Sequence, residues 1–474
     1  MKNNFYITTT LPYVNAEPHI GFAKEIIIAD VIARWKRLTG HEVFFNTGTD
    51  EHGLKIYEKA LEVNLDPQKY ADKYAEKFRA LKENLNLSFN SFIRTTDERH
   101  ISAASEFWRR CEKSGDIYKR NYKIKYCVGC ELEKTDSELA GGRCSIHPNK
   151  EIEIIEEENY FFRFSKYGGK LLELYKSQPD FVLPGFRLNE IKMFVESGLQ
   201  DFSISRLKNK MPWGIKVPGD ESHVMYVWFD ALVSYISALG WPGDEESFNN
   251  WWPGVQVAGK DNLRQQSAMW QTMLMSAGLP PSKQILILGF ITSDGQKMSK
   301  SIGNVINPIE IVEDYGIDAL RYFLIREITT YEDGDFTAEK FKEAYNANLA
   351  NGLGNLVSRI MKMSSVYLTS PTEIPDDTIP NDFKKLMDNY EIQKAADYIW
   401  KWFSALDFRI QNEEPFKLIK SDNEKAKKII KEMRLELYTV ARMLNPFMPE
   451  TSDAIKELVK KNSMPPFPIF PRKS

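Results

Sequence analysis

The chain opens on a β-branched and aromatic run, Phe5 to Thr10, that stops at Pro12; a turn carrying Asn15 and Pro18 follows, and apolar residues then recur at helical spacing from about Ile20 to Arg37. This predicts a strand, a loop and a helix. A second strand-like run, Val43 to Phe45, ends in a Gly-containing polar loop. Two strands with a helix between them imply a parallel sheet, whose ligands bind at the carboxyl ends of the strands. Ile56 to Lys82 and Ile101 to Ser114 read as amphipathic scaffold helices rich in Lys and Glu. Near Asp116 the strand pattern breaks off, and it resumes only with HVMYVWFDAL, beginning at His223. Roughly one hundred intervening residues are long for a crossover, which predicts an inserted subdomain.

Val305 to Ile328 alternates a turn with a helix, and Asp333 to Phe336 closes a loop. From Thr337 onward no β-rich run remains. Helical patterns recur at Ala338 to Val366, Phe383 to Gln411, Glu424 to Leu444 and Thr451 to Lys460, with the Pro-rich Thr369 to Pro380 as a loop between the first two. The expected organisation is an α/β domain in two halves (1–115 and 223–336), an insertion (116–222) and an all-α bundle (337–474).

Length and composition narrow the class without naming a chemistry. At 474 residues the chain can hold several cores, and 42% hydrophobic with 27% charged residues is a soluble globular composition. No apolar run approaches membrane-spanning length, and the segment after Met1 lacks signal-peptide features, so a cytoplasmic protein is expected. A net charge of −3 argues against holding nucleic acid by bulk charge and leaves room for local basic faces.

The cysteines change the picture more. Only Cys111, Cys127, Cys130 and Cys144 occur, too few for a disulfide framework. Cys111 reads as a buried thiol on a helix. Cys127-Val-Gly-Cys130 and Cys144-Ser-Ile-His147, with glycines at 129, 141 and 142 for tight turns, offer four tetrahedral ligands and no position for water, which predicts one structural zinc within 121–158.

Two further stretches carry candidate chemistry. At Pro18-His19-Ile20-Gly21 a helix start turns its N–H groups and dipole toward an anion, and Gly21 lets a planar ring approach the backbone. Taken alone, the same tetrapeptide suits an ordinary turn with a capping His. Gly289 to Asn304, GFITSDGQKMSKSIGN, is a polar loop with Lys297 and Lys300, which by itself reads equally as solvated.

Together these stretches resemble the HIGH and KMSKS motifs of class I aminoacyl-tRNA synthetases, the second letter for letter. LPYVNAEPHIGF, TGTDEHG (Thr47 to Gly53), YVWFDAL (Tyr226 to Leu232), AGKD (Ala258 to Asp261), NLVSR (Asn355 to Arg359) and LNPFMPET (Leu444 to Thr451) narrow the resemblance to the methionyl-tRNA synthetase family, in the family's order and over nearly the whole chain. The resemblance implies a Rossmann-like catalytic domain with a zinc-binding insertion and a helical anticodon-binding bundle. It implies ATP-dependent activation of L-methionine to methionyl-adenylate and transfer to the 3′ end of tRNA(Met), with Mg²⁺ accompanying ATP.

The site residues it implies are His19, Lys297 and Lys300 for catalysis, and His19, Gly21, Gly259, Asp261 and Lys300 for ATP. Leu11, Tyr13, Asp50, Trp228 and Tyr235 would hold methionine, with Asp50 on its α-amino group, although an Asp in a polar loop also suits a turn and aromatics at this spacing also suit plain core. Asn355, Arg359 and Phe416 would read the CAU anticodon, although Asn355 and Arg359 by themselves read first as a helix surface pair, and Phe416 stands where the family has a stacking Trp and would stack more weakly.

The sequence departs from the family's commonest form at Phe22, in place of the second His of HIGH, at Leu232, where Pro is frequent, and at Asn262 to Ser267, where Gln266 replaces a His. A monomer is expected, because the appended C-terminal dimerising module of some relatives is not seen. A cysteinyl enzyme would be expected to put zinc in the catalytic centre, whereas all four ligands here lie in the insertion. A catalytically impaired tRNA-binding paralogue is the alternative that Phe22 and Gln266 suggest and an intact KMSKS opposes.

Overall fold

A computed structural model describes residues 3–129, 132–134, 138–298, 303–369 and 379–473. Its centre is a six-stranded sheet built from β1 (Asn4–Thr9), β2 (Glu42–Thr49), β3 (Ser91–Arg94), β4 (Val182–Leu183), β5 (Val255–Gly259) and β6 (Gln284–Leu288), in the spatial order β3-β2-β1-β5-β6-β4. Every pairing in it is parallel, with Ile7 of β1 flanked by Phe45 and Val255. Both faces are covered, so the strands are apolar nearly throughout: Ile7, Phe45, Val255, Val257, Ile285 and Ile287 are fully buried. Winding proceeds outward from β1 to β3 and returns through β5, so the switch point lies between the carboxyl ends of β1 and β5.

The first crossover is α1 (Ile20–Leu38), whose Ile26 to Ala33 stretch is buried throughout. Its Asp30 is a fully buried anchor. Arg321 Nη2 donates to Asp30 Oδ2 at 2.8 Å, Arg34 Nε donates to the same oxygen at 2.7 Å, and Arg321 Nε donates to the carbonyl of Phe447 at 2.8 Å. Burial opposes the charge on Asp30, yet the two guanidiniums hold its carboxyl below the usual range. The pair joins the α/β domain to the helical part, and removing one partner would strand a buried charge.

Two expectations for the first half of the chain are corrected. Ile56 to Lys82 is not one helix but Leu54–Glu62, Pro67–Arg79 and the single turn Leu81–Asn84; Asn64 turns the chain at φ 53° and Asp66 then caps the second helix on the amides of Gln68 and Lys69. The sheet pattern does not resume at His223. Asp220–Met225 pairs within its own antiparallel sheet, with Ser205–Leu207 and Lys216–Val217, and the main sheet is re-entered earlier, by β4, and then at β5. A two-residue strand carries no alternation to read, and an alternating run does not state which sheet it joins.

Within the insertion, Ile117–Cys127 and Ile152–Phe162 form a long antiparallel ribbon in continuous register, Cys127 opposite Ile152. It extends toward the Cys/His turns. Beyond Gly334–Phe336, which pairs parallel to Ile291–Ser293, all described elements are helical. Ala338 to Tyr367 includes a π-helical stretch at Tyr345–Gly354, and Asn381–Asp388, Ile392–Glu413, Asn423–Leu444 and Pro449–Lys461 follow. Phe383 to Gln411 thus divides in two at Tyr390, φ 58°. Most of the Pro-rich loop, 370–378, lies outside the described residues. Among those described, no helix is long and apolar enough to cross a membrane.

Candidate active site and metal cluster

The switch point is closed from beneath by a residue the pattern did not single out. Glu25 on α1 accepts from Thr10 N (2.9 Å) and Thr10 Oγ1 (2.5 Å) on one oxygen and from Gly259 N (3.0 Å) on the other, clasping the ends of β1 and β5. Burial pushes its carboxyl up to about 8, against the pull of these hydrogen bonds. Its neighbour Lys24 donates to the carbonyls of Gly289 (3.1 Å) and Thr329 (2.7 Å), and burial lowers it to about 7. Both are buried charged residues within a helix whose other buried positions are nearly all apolar.

At the α1 start His19 is exposed and extended, and its Nδ1 accepts the Gly21 N–H at 3.1 Å. His19 therefore caps the helix, as the plainer reading had it. A Cβ at Gly21 would lie 3.0 Å from the His19 ring and 3.8 Å from Met298 Cε, and Ile20 N donates to Ile306 O at 3.0 Å, so the two signature stretches meet here. Lys297 ends the short strand Gln296–Lys297, paired across a tight turn at Asp294 and Gly295. Its side chain and all of Lys300 lie outside the described residues. Phe22 points away from this mouth into the core, edge-on to Phe78 at 5.4 Å.

Beside the switch point is a cavity of about 280 Å³. Leu11, Tyr13, Asp50, Trp228 and Tyr235, the five side chains expected to form an amino-acid pocket, all line it. Asp50 is fixed by its backbone: its N–H donates to Pro12 O and its carbonyl accepts from Val14 N. Its neighbours in TGTDEHG hold the loop, Glu51 through Arg94 (2.7 and 2.8 Å), Thr49 and Thr96, and Gly53 because a Cβ there would fall 2.2 Å from the Tyr13 hydroxyl. Gln266, the departure noted above, donates from Nε2 to the Tyr235 hydroxyl at 2.6 Å. Asn15, Lys55, Asn262 and Gln265 also reach the wall, although the sequence reading gave none of them a role in the pocket.

A Cβ at Gly259 would lie 2.8 Å from Asp261 Oδ1, so any side chain there would displace that carboxylate. Asp261 itself is exposed at the end of β5. In the insertion, Cys127, Cys144 and His147 bring their ligand atoms within 4.8 Å of one another, the cysteines buried. Gly129 permits the turn, because a Cβ would meet the His147 ring at 2.5 Å. Two sulfurs and an imidazole nitrogen at this spacing suit a metal ion of zinc's preferences. Cys130 lies outside the described residues, and Cys111 is a buried helix thiol as expected.

On the helical side, Asn355 is exposed and Arg359, one turn on, is half-buried and paired with Asp407, whose other oxygen accepts from Gln411 Nε2 at 2.6 Å. Asp407 was not foreseen. Phe416 is 43% exposed on the short turn Pro415–Leu418, with Lys417 Nζ 5.9 Å from its ring centre.

Comparison with known proteins is consistent from end to end. Residues 5–151 and 129–361 match the family described as tRNA synthetases class I (M), and 377–468 match the anticodon binding domain of methionyl tRNA ligase. The methionine–tRNA ligase of Thermotoga maritima is 42% identical, covering 97% of this chain and 76% of that protein, and that of Rickettsia bellii is 41% identical, covering 98% and 94%. The solved Mycobacterium tuberculosis methionyl-tRNA synthetase in complex with methionyl-adenylate superposes with a TM-score of 0.91 at 36% identity over 100% of both chains.

Proposed function

This chain belongs to the class I methionyl-tRNA synthetases and is a methionine–tRNA ligase, and we propose how its own residues carry the reaction. Methionine occupies the 280 Å³ cavity, its ammonium on Asp50 and its thioether among Leu11, Tyr13, Trp228 and Tyr235. The observation that carries this reading is that side chains far apart in sequence converge on one cavity at the sheet's switch point.

ATP, arriving with Mg²⁺, lies across the α1 start. There Gly21 leaves room for the base, the helix dipole and His19 face the phosphates, and Gly259 and Asp261 meet the adenosine. The methionine carboxylate attacks the α-phosphorus, giving methionyl-adenylate and pyrophosphate. No protein nucleophile is needed, so charge stabilisation dominates, and Lys297 and Lys300 supply it as pyrophosphate departs. The acyl group then passes to the 3′-terminal ribose of tRNA(Met), whose CAU anticodon is read by Asn355, Arg359 and Phe416.

Cys127, Cys130, Cys144 and His147 would hold a Zn²⁺ that organises the turns and takes no part in the chemistry. The remaining parts of the proposal are a monomer and a cytoplasmic location. Pyrophosphate exchange into ATP, run with each of the twenty amino acids, tests the reading: methionine alone should support it. Exchange with another amino acid, or with none, would overturn the pocket assignment.

A further inference from the structure

Behind the amino-acid cavity lies a buried cluster that the mechanism above does not use. Asp230 sits on the helix Val227–Leu232, whose Trp228, Ala231 and Leu232 line the cavity while Asp230 faces away from it and is fully buried. Its Oδ2 is 2.6 Å from His52 Nδ1 and its Oδ1 is 2.7 Å from His100 Nε2. A carboxylate only accepts, so each imidazole turns an N–H toward it. His100 Nδ1 is then 3.0 Å from the hydroxyl of Ser237, on the helix Ser234–Ser237 that also carries the cavity residue Tyr235. Burial opposes the Asp230 charge, and the two imidazoles outweigh it, holding the carboxyl below its ordinary range.

The partners come from three separate parts of the fold. His52 follows Asp50 by two residues on the loop after β2, and its ring packs edge-on against Trp213 at 5.5 Å. His100 belongs to the helix Glu98–Lys113, which contributes nothing to the cavity wall. One carboxylate thus joins the wall that bears Asp50 to the wall that bears Trp228 and Tyr235, and fastens both to an outside scaffold.

We propose that Asp230 is a positioning residue for methionine: gripped by His52 and His100, it sets the separation between the Asp50 loop and the Trp228–Tyr235 helices, and so the fit of the amino acid between them. This rests on the pocket assignment above. A side chain that only positions the amino-acid walls should act on methionine and leave ATP alone, because the ATP contacts proposed here sit on α1, β5 and the KMSKS loop.

The test is steady-state pyrophosphate exchange by the full chain, varying methionine and ATP separately. Asp230→Asn keeps the shape but loses the charge and one acceptor, and is expected to raise the methionine KM about tenfold, with kcat and the ATP KM within about twofold. Ser237→Ala, which removes only the outer hydrogen bond of His100, should move the same constant in the same direction by about twofold to threefold and keeps the test alive if Asp230→Asn does not fold. Asp50→Asn is run beside them. If it raises the methionine KM while neither Asp230→Asn nor Ser237→Ala does, the positioning role is wrong and the pocket stands. If Asp50→Asn leaves the methionine KM unchanged, the pocket assignment itself has failed. A proportional loss in the ATP KM or in kcat alone would make Asp230 a general structural residue and overturn the proposal.

Discussion

The cavity proposed to hold the amino acid and the helical face proposed to read the anticodon are built on opposite plans. In the cavity, Asp50 and Tyr235 are nearly fully buried, and every flanking residue of the TGTDEHG loop is tied down. On the helices, Asn355 and Phe416 stand in solvent, and Arg359 is held by Asp407 at a half-buried position. A small substrate must find its shape waiting, since little binding energy is available to order the walls. An RNA loop brings bases that can splay out and stack, so exposed side chains on rigid helices suffice.

If the two regions work independently, changes in one should leave the other's assay intact. The largest effect is expected at the catalytic end. Lys300→Ala should slow adenylate formation by about a thousandfold with little change in methionine affinity, if its proposed contact with the departing pyrophosphate holds. Single-turnover adenylation against methionine titration measures both, and parallel loss of binding would contradict the role.

On the other side, the triple variant Asn355→Ala, Arg359→Ala, Phe416→Ala removes contacts worth roughly 1 to 3 kcal/mol each. Charging of tRNA with the CAU anticodon should fall by about a hundredfold or more, while tRNA-independent pyrophosphate exchange stays near wild type. Equal loss in both assays would mean global unfolding and would erase the contrast.

Cys144→Ser probes a third region that serves neither site directly. Bound zinc should be lost by metal analysis and proteolysis within 121–158 should rise, whereas exchange should fall by only a few-fold. Protein purified without chelator and lacking zinc would count against the metal.

The smallest effect concerns the seam under the cavity. Glu25 is raised from its ordinary 4.5 to about 8, so the folded protein binds the extra proton between those values. The stability this contributes is complete below pH 4.5 and is lost as pH rises through 8. Glu25→Gln should therefore flatten the decline of Tm measured from pH 5 to 8. Lys24, lowered to about 7, acts in the opposite direction above that pH and would be left unchanged by the variant.

Much of this was legible before any coordinates. Strand, loop and helix from Phe5 to Leu38 form where the pattern puts them, as do the long helices Asn423–Leu444 and Pro449–Lys461. The five cavity residues were named from the family resemblance of the motifs that carry them. What determined the elements is local: a period of 2 or 3.6 and a glycine or proline at a fixed offset are complete within a short window.

Other features needed the tertiary structure because their partners are distant. His52 and Asp230 are 178 residues apart, Glu25 and Gly259 are 234 apart, and Arg359 and Asp407 are 48 apart. No window contains both members of such a pair. Glu25 is buried where β5 returns beside β1, and Lys24 where the chain passes back over α1 at Gly289 and Thr329. β4 was unreadable for the same reason, since two residues become a strand only when the edge of β6 is there to receive them. The sequence by itself determined most of the helices and strands and, through the family resemblance, the motifs proposed to supply the chemistry. The order in which the sheet assembles, decided by burial of both its faces, determined which charges meet and what lies beneath the cavity.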